Sequence, residues 1–279
     1  MQSLATSDLV RSFIVLAAAT AQSVTVASPE LFGFSETVIS RVEPLEHGLT
    51  PIGYAFAIWG VIYAGNLAFA VWQALPANRS SELARQVGWW AVGMYLCNAV
   101  WQIWVPAVGA DYVSTIILGT ELIFGMIVLL RMRDLAWAGV RLGWRAFPLG
   151  LLTGWVSAAT FVNLTTGLID AGSAIDPRVV PIATTFLIAT ITFCVMTVAS
   201  TRSGAQALGI CWGFHAIAVA NIVREPQPVL AATAMAGLAA VALTYFLKRF
   251  GGAGSRLQVR PLLFAARTFH RRACGQVAV

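Results

Sequence analysis

The residues with most chemical potential in this chain are aromatic rings and amides set one helical turn apart. Phe56, Trp59 and Tyr63 recur at steps of three and four, as do Asn98, Trp101 and Gln102, while Trp155, Ala159 and Asn163 recur at steps of four. Each trio occupies one face of a helix. Indoles offer flat stacking surfaces, carboxamides offer donors and acceptors, and an alanine among tryptophans leaves room for a flat guest. The same pattern suits plain helix packing, with amides tying helices together and aromatics filling a core, and both readings stand at this point. Two ionisable groups sit in apolar surroundings: Glu121, and His215, which follows Cys211 by four residues and Trp212 by three. His215 suits a metal or proton role, or a simple hydrogen bond. The chain has no zinc-type spacing, nucleophile elbow, phosphate loop or dinucleotide glycine pattern. Soluble-enzyme chemistry therefore has no visible home and no metal site is expected.

The elements that must position these residues are membrane helices. Of 279 residues, 58% are hydrophobic and only 11% charged, against about 45–50% and about 25% in a soluble domain. Lys, Arg, Asp and Glu are absent from 12–29, 47–78, 86–110, 146–169, 179–201, 203–223 and 226–247, and Glu121 alone interrupts 112–130. A helix needs about 20 apolar residues to cross the hydrocarbon core, so these runs predict an all-α, polytopic membrane protein of eight spans. At the middle of span four a charged carboxylate costs roughly 2.5–3.5 kcal/mol, which marks Glu121 as a proton relay, a partner for a basic ligand group, or an inter-helix hydrogen-bonding group. The segment from Phe13 to Ala21 resembles a short signal core, but Asp8 and a lone Arg11 make a poor leader, so it reads as a retained span; cleavage would leave seven helices.

Charge gives the orientation. With the N-terminus inside, all of the 18 basic residues except Arg41, Arg178 and Arg224 fall on the inner side, whereas Glu30, Glu36, Glu43, Glu46, Asp111, Asp170, Asp176 and Glu225 fall outside. The positive-inside rule reads this as cytoplasmic termini, with a bacterial inner membrane as the expected location. The net charge of +6 is then an orientation signal and a contact with anionic lipid, with no nucleic-acid partner implied. Cys97, Cys194 and Cys211 lie in spans and Cys274 in the tail, so no disulfide framework is expected. Residues 30–50, acidic and bounded by Pro29, Pro44 and Pro51, form a natural lid on the outer side. Trp72, Trp89, Trp90, Trp104, Trp137 and Trp144 lie near span ends as interfacial anchors. Counted inward at about 1.5 Å per residue, Trp59 and Asn98 lie roughly 12 Å deep, Trp101 about 8 Å, Ala159 about 15 Å and Asn163 about 9 Å. Three helices thus present their rings and amides at one level beneath the acidic loop.

At these residues the chain resembles the translocator protein family, TspO/MBR, also called tryptophan-rich sensory proteins. The resemblance rests on Pro51, Phe56, Trp59 and Tyr63 in span two, Asn98 and Trp101 in span three, and Trp155-Val-Ser-Ala-Ala159-Thr-Phe-Val-Asn163 in span five. It runs in order over 12–169 and implies a five-helix membrane unit over 1–169; the uncharged runs place three further helices in 170–250, outside that unit, and 251–279 reads as a basic cytoplasmic tail. It also implies a pocket for porphyrins, haem-like tetrapyrroles or other flat hydrophobic molecules, lined by Trp59, Asn98, Trp155 and Ala159 and shaped by Phe56, Tyr63, Trp101 and Asn163. Homodimers are usual in the family. Departures are plain: 30–50 contain no Trp and Pro51 is not part of a Pro-Pro pair, which weakens any expectation of light-dependent porphyrin breakdown. The end of span five lacks the Tyr and Arg of the animal cholesterol motif, which Leu243-Thr-Tyr245-Phe-Leu-Lys248 fits only loosely.

The leading expectation is a membrane-embedded sensor, regulator or carrier of a flat hydrophobic ligand, with no cofactor of its own and porphyrin or haem as the ligand. The alternative is a proton-coupled secondary transporter using Glu121, and a weaker third is a membrane enzyme acting on a pigment or lipid. The arginine-rich tail reads either as an amphipathic segment on the membrane or as disordered chain.

Overall fold

A computed structural model describes residues 2–251, and the tail expected at 251–279 lies, but for Gly251, outside the described residues. Eight long helices account for most of it: α1 (Gln2–Val24), α2 (Ile58–Ala74), α3 (Glu82–Ala107), α4 (Tyr112–Trp137), α5 (Ala146–Asp170), α6 (Val180–Thr201), α7 (Gly204–Val223) and α8 (Pro228–Phe250). Their starts follow local rules. Ser81, Asp111 and Ser203 cap α3, α4 and α7 by accepting from Ala84, Ser114 and Gln206 amides, and Pro181 and Pro228 occupy first-turn positions where no backbone donor is needed. Arg202 ends α6 in the left-handed region at φ 57°.

Seven of these helices are long and apolar enough to cross a membrane, which makes this an all-α, polytopic membrane protein. The remaining one, α3, is as long as α4, but Glu82, Arg85, Asn98 and Gln102 lower its apolarity. Seven of the eight expected spans are thus apolar enough by themselves, and α3, uncharged over 86–110, is wedged between α1 and α4 in the same bundle.

Five helices close into a ring in the order α1, α3, α4, α5, α2, and α2 returns to α1. Polar groups lock the first helix into this ring: Asp8 takes Arg11 at 2.7 Å and Arg85 at 2.5 Å, so the two charges that make a poor leader are structural contacts. Outside the ring, α7 docks on α5, α8 on α7, and α6 on α8. The α5–α7 crossing is a backbone contact. A Cβ on Gly154 would lie 2.2 Å from the Gln206 carbonyl oxygen, and one on Gly209 would lie 2.6 Å from the Leu151 carbonyl oxygen. Paired glycines of this kind let helix backbones meet where lipid gives no hydrophobic drive. The apolar core accordingly forms two clusters, one within α1–α5 with Ala216 and one among α6–α8 with Leu49.

Candidate ligand-binding cavity

The lid segment comes first in space. Between α1 and α2 the chain forms two short helices, Ser28–Phe32 and Val38–Val42, the second capped by reciprocal Thr37 and Ser40 contacts. Its far end is fastened to two helices. The Asn221 amide of α7 donates to the Gly48 carbonyl at 2.8 Å, Arg224 pairs with Glu46 and donates to the Thr50 carbonyl, and the His47 ring meets the hydroxyls of Thr165 and Thr166 on α5 at 3.1 and 3.2 Å. His47 is 5% exposed. Burial pushes its pKa down to about 4, because the charged ring loses water without gaining a carboxylate partner.

Beneath this lid lies a cavity of about 50 Å³. Phe56 of the 3-10 turn Gly53–Ala57 that leads into α2, Trp59 of α2, Trp101 of α3, and Trp155, Ala159 and Asn163 of α5 all line it, six of the eight side chains expected at a binding site. The rings pack on one another: Trp59 is edge-on to Trp155 at 6.1 Å, Phe56 is edge-on to Trp155 at 6.0 Å, and Trp101 is tilted against Trp59 at 6.4 Å. These are favourable aromatic geometries. Trp101 donates its indole N–H to Asn163 Oδ1 at 3.2 Å, and Asn163 in turn donates to Ser114 at 2.6 Å and Thr115 at 3.0 Å. The amide therefore fixes the ring and joins α3, α4 and α5.

Asn98 and Tyr63 do not line the cavity. Tyr63 stacks behind Trp59 at 5.3 Å with planes 18° apart, accepts from Gln102, and donates to Asn98 Oδ1 at 3.3 Å. Asn98 passes its own N–H groups to Glu121 at 3.2 and 3.3 Å. Glu121 is 1% exposed and lies behind the cavity wall, where Asn98 is its side chain's partner among the described residues. An amide both accepts and donates but does not readily hand a proton across, so this chain of contacts holds Trp59 in place better than it conducts.

Sequence reasoning missed part of the wall. Val38, Val42, Thr50 and Pro51 close it from the lid, Leu118 from α4, and Gly213 and Ile217 from α7. The α7 contribution could not be read because the resemblance stopped at residue 169; the small residue Gly213 in an apolar run was its one visible signal. Trp212 and His215 turn away from the cavity. The Trp212 indole donates to the Ala55 carbonyl at 2.9 Å, and His215 is exposed beside Tyr54 and Trp212. Among the described residues no group of three His, Cys, Asp or Glu could hold a metal, and Cys97, Cys194 and Cys211 are free. Several end tryptophans pair with arginine as expected of anchors, Trp72 under Arg145 and Trp90 under Arg131.

Comparison with known proteins gives one match. The family model described as TSPO-like protein matches residues 10–247, so it runs over all eight long helices rather than ending at 169. No curated protein and no solved structure matches the chain.

Proposed function

This chain belongs to the TSPO-like family, and on that footing we propose that it binds a flat hydrophobic molecule of porphyrin type beneath the first-loop lid, as a sensor or carrier of that ligand. Family membership and the apolar helices make it an integral membrane protein. One observation carries the finer reading: indoles from three helices converge on one cavity beside Ala158 and Ala159, under a separately fastened loop. Small residues opposite large rings leave a slot instead of a filled core.

The cavity of about 50 Å³ is below the roughly 300–1,000 Å³ of ligand pockets. Entry therefore requires the lid to lift. The ligand is a porphyrin or haem, no cofactor is needed beside it, the working unit is a homodimer, and the site is a bacterial inner membrane with both termini inside. Transport driven by Glu121 gains no support, since the acid faces Asn98 and not the cavity.

Titrating protoporphyrin into the full chain in nanodiscs and following tryptophan quenching tests the proposal. Trp155→Ala removes one stacking face and should weaken binding about tenfold, and Ala159→Phe should block the slot with the ring cluster intact. Wild-type affinity in both variants, each shown to be folded by its unfolding temperature, refutes the assignment.

A further inference from the structure

At the opposite end of the bundle from the aromatic cavity lies a second and larger space. A cleft of about 740 Å³ opens between the C-terminal ends of α4, α6 and α8 and the N-terminal ends of α5 and α7. Arg133, Arg202, Lys248 and Arg249 all line it, and no carboxylate does. Of these four, Arg133 pairs with a carboxylate outside the lining, Asp134, at 2.8 Å. Among the described residues no carboxylate pairs with Arg202, Lys248 or Arg249, and residues 252–279 contain no Asp or Glu. Cations gathered this way repel one another until an anion joins them.

The cleft is a built site and more than a charged rim. Trp137 carries two guanidiniums over its ring, Arg133 at 4.5 Å and Arg202 at 5.4 Å from the centroid. Arg133 is tied further to the Ser200 carbonyl at 2.8 Å, and Arg202, in the left-handed turn that ends α6, lines the cleft just before α7 begins. Gly204 and Ala205, the first residues of α7, line the same space. Their amides have no intrahelical acceptor, so they add partial positive charge at a second point. Leu129 and Phe147 supply apolar wall beside the charges.

From this geometry we infer a binding site for a phosphate group carried by an amphiphile, the phosphodiester of an anionic phospholipid whose acyl chains run along Leu129 and Phe147. Arginine forks match phosphate oxygens two at a time, and basic pockets between helix ends at a membrane surface suit anionic head groups. A soluble phosphate compound presents the same oxygens without the chains.

The test uses the full chain in detergent, with retention of dioleoyl phosphatidylglycerol and dioleoyl phosphatidylcholine read by native mass spectrometry. Preferential retention of the anionic lipid is expected in the wild type. Arg202→Gln with Lys248→Gln should weaken that retention about thirtyfold, the effect of losing two basic groups beside a phosphate. Arg131→Gln with Arg141→Gln removes the same charge at the same end but outside the cleft, and should leave it unchanged. Competition by inorganic phosphate alone would support the phosphate site and assign it to a soluble ligand; its failure to compete supports the lipid. Equal retention of the two lipids, or equal losses in the two double variants when both unfold at the wild-type temperature, overturns the inference.

Discussion

Acidification should lift the lid, and His47 sets by how much. The ring accepts from the Leu49 amide through Nδ1 at 3.2 Å, so its proton sits on Nε2 and points at Thr165 and Thr166, whose own hydroxyl hydrogens go to backbone carbonyls. A second proton on Nδ1 would face another donor. Burial, the main cause, together with Arg224 holds the pKa down to about 4 from 6.5, although Val162 and Asp176 act the other way. A released loop returns the ring to about 6.5, so between pH 6.5 and 4 the lifted state binds more protons than the seated one. Seating is therefore at full strength above pH 6.5, weakens as pH falls through that window, and loses on the order of 3 kcal/mol by pH 4. Between pH 7 and 5 the lid-opening constant should rise about 25-fold. Hydrogen exchange reads this directly, because the Leu49 and Thr50 amides are bonded to His47 itself, at its ring and at its carbonyl. Protection factors for 47–52, corrected for intrinsic exchange, should fall by that ratio in the wild type and stay flat in His47→Gln. Equal protection at both pH values, or the same fall without the imidazole, would refute the reasoning.

Two further substitutions test the frame that carries the cavity. Gly154→Ala places a methyl group 2.2 Å from a backbone oxygen that no side-chain rotation can move aside, so α5 and α7 must separate; a loss of about 1–3 kcal/mol, seen as a lower unfolding temperature, is expected, and unchanged stability would mean that the crossing is not close. Asn98→Leu leaves the Glu121 carboxyl buried without its donor, which should cost about 1–3 kcal/mol. Adding Glu121→Leu should recover part of that loss in a double-mutant cycle, whereas purely additive effects would show that the pair is not coupled.

The class of fold was legible because lipid imposes one rule on backbone polar groups, and uncharged runs long enough to satisfy it are visible in composition alone. The site was legible where side chains repeat at helical spacing, as in Phe56 and Trp59 at the start of the second span and in Trp155 and Ala159 on α5. Spacing places residues on faces and depths, but it does not say which rings touch. Tyr63 shares the face of Trp59 yet lies behind it, and Asn98 shares its depth yet turns to Glu121. Contacts distant in sequence, such as Gly213 beside Ala158 and His47 beside Thr166, leave no periodic trace at all.

Those contacts also decide which wall of the cavity yields to a ligand. Trp59 is backed by Tyr63, which the Gln102–Asn98–Glu121 contacts fix; Trp101 is fixed by Asn163, and α5 is fixed against α7 by glycine backbones. Each of these walls can recede only by breaking buried polar bonds or a backbone contact. The lid is different. Its Glu46–Arg224 pair is about one-third exposed and so is worth at most about 1 kcal/mol, and its other ties are the His47, Asn221, Arg224 and Arg41 hydrogen bonds and the buried Leu49 side chain. The volume that a flat guest requires must therefore come from the 38–51 segment moving outward while the indoles stay where they are. Affinity should accordingly follow substitutions in the tryptophans, and entry rate should follow substitutions in the lid.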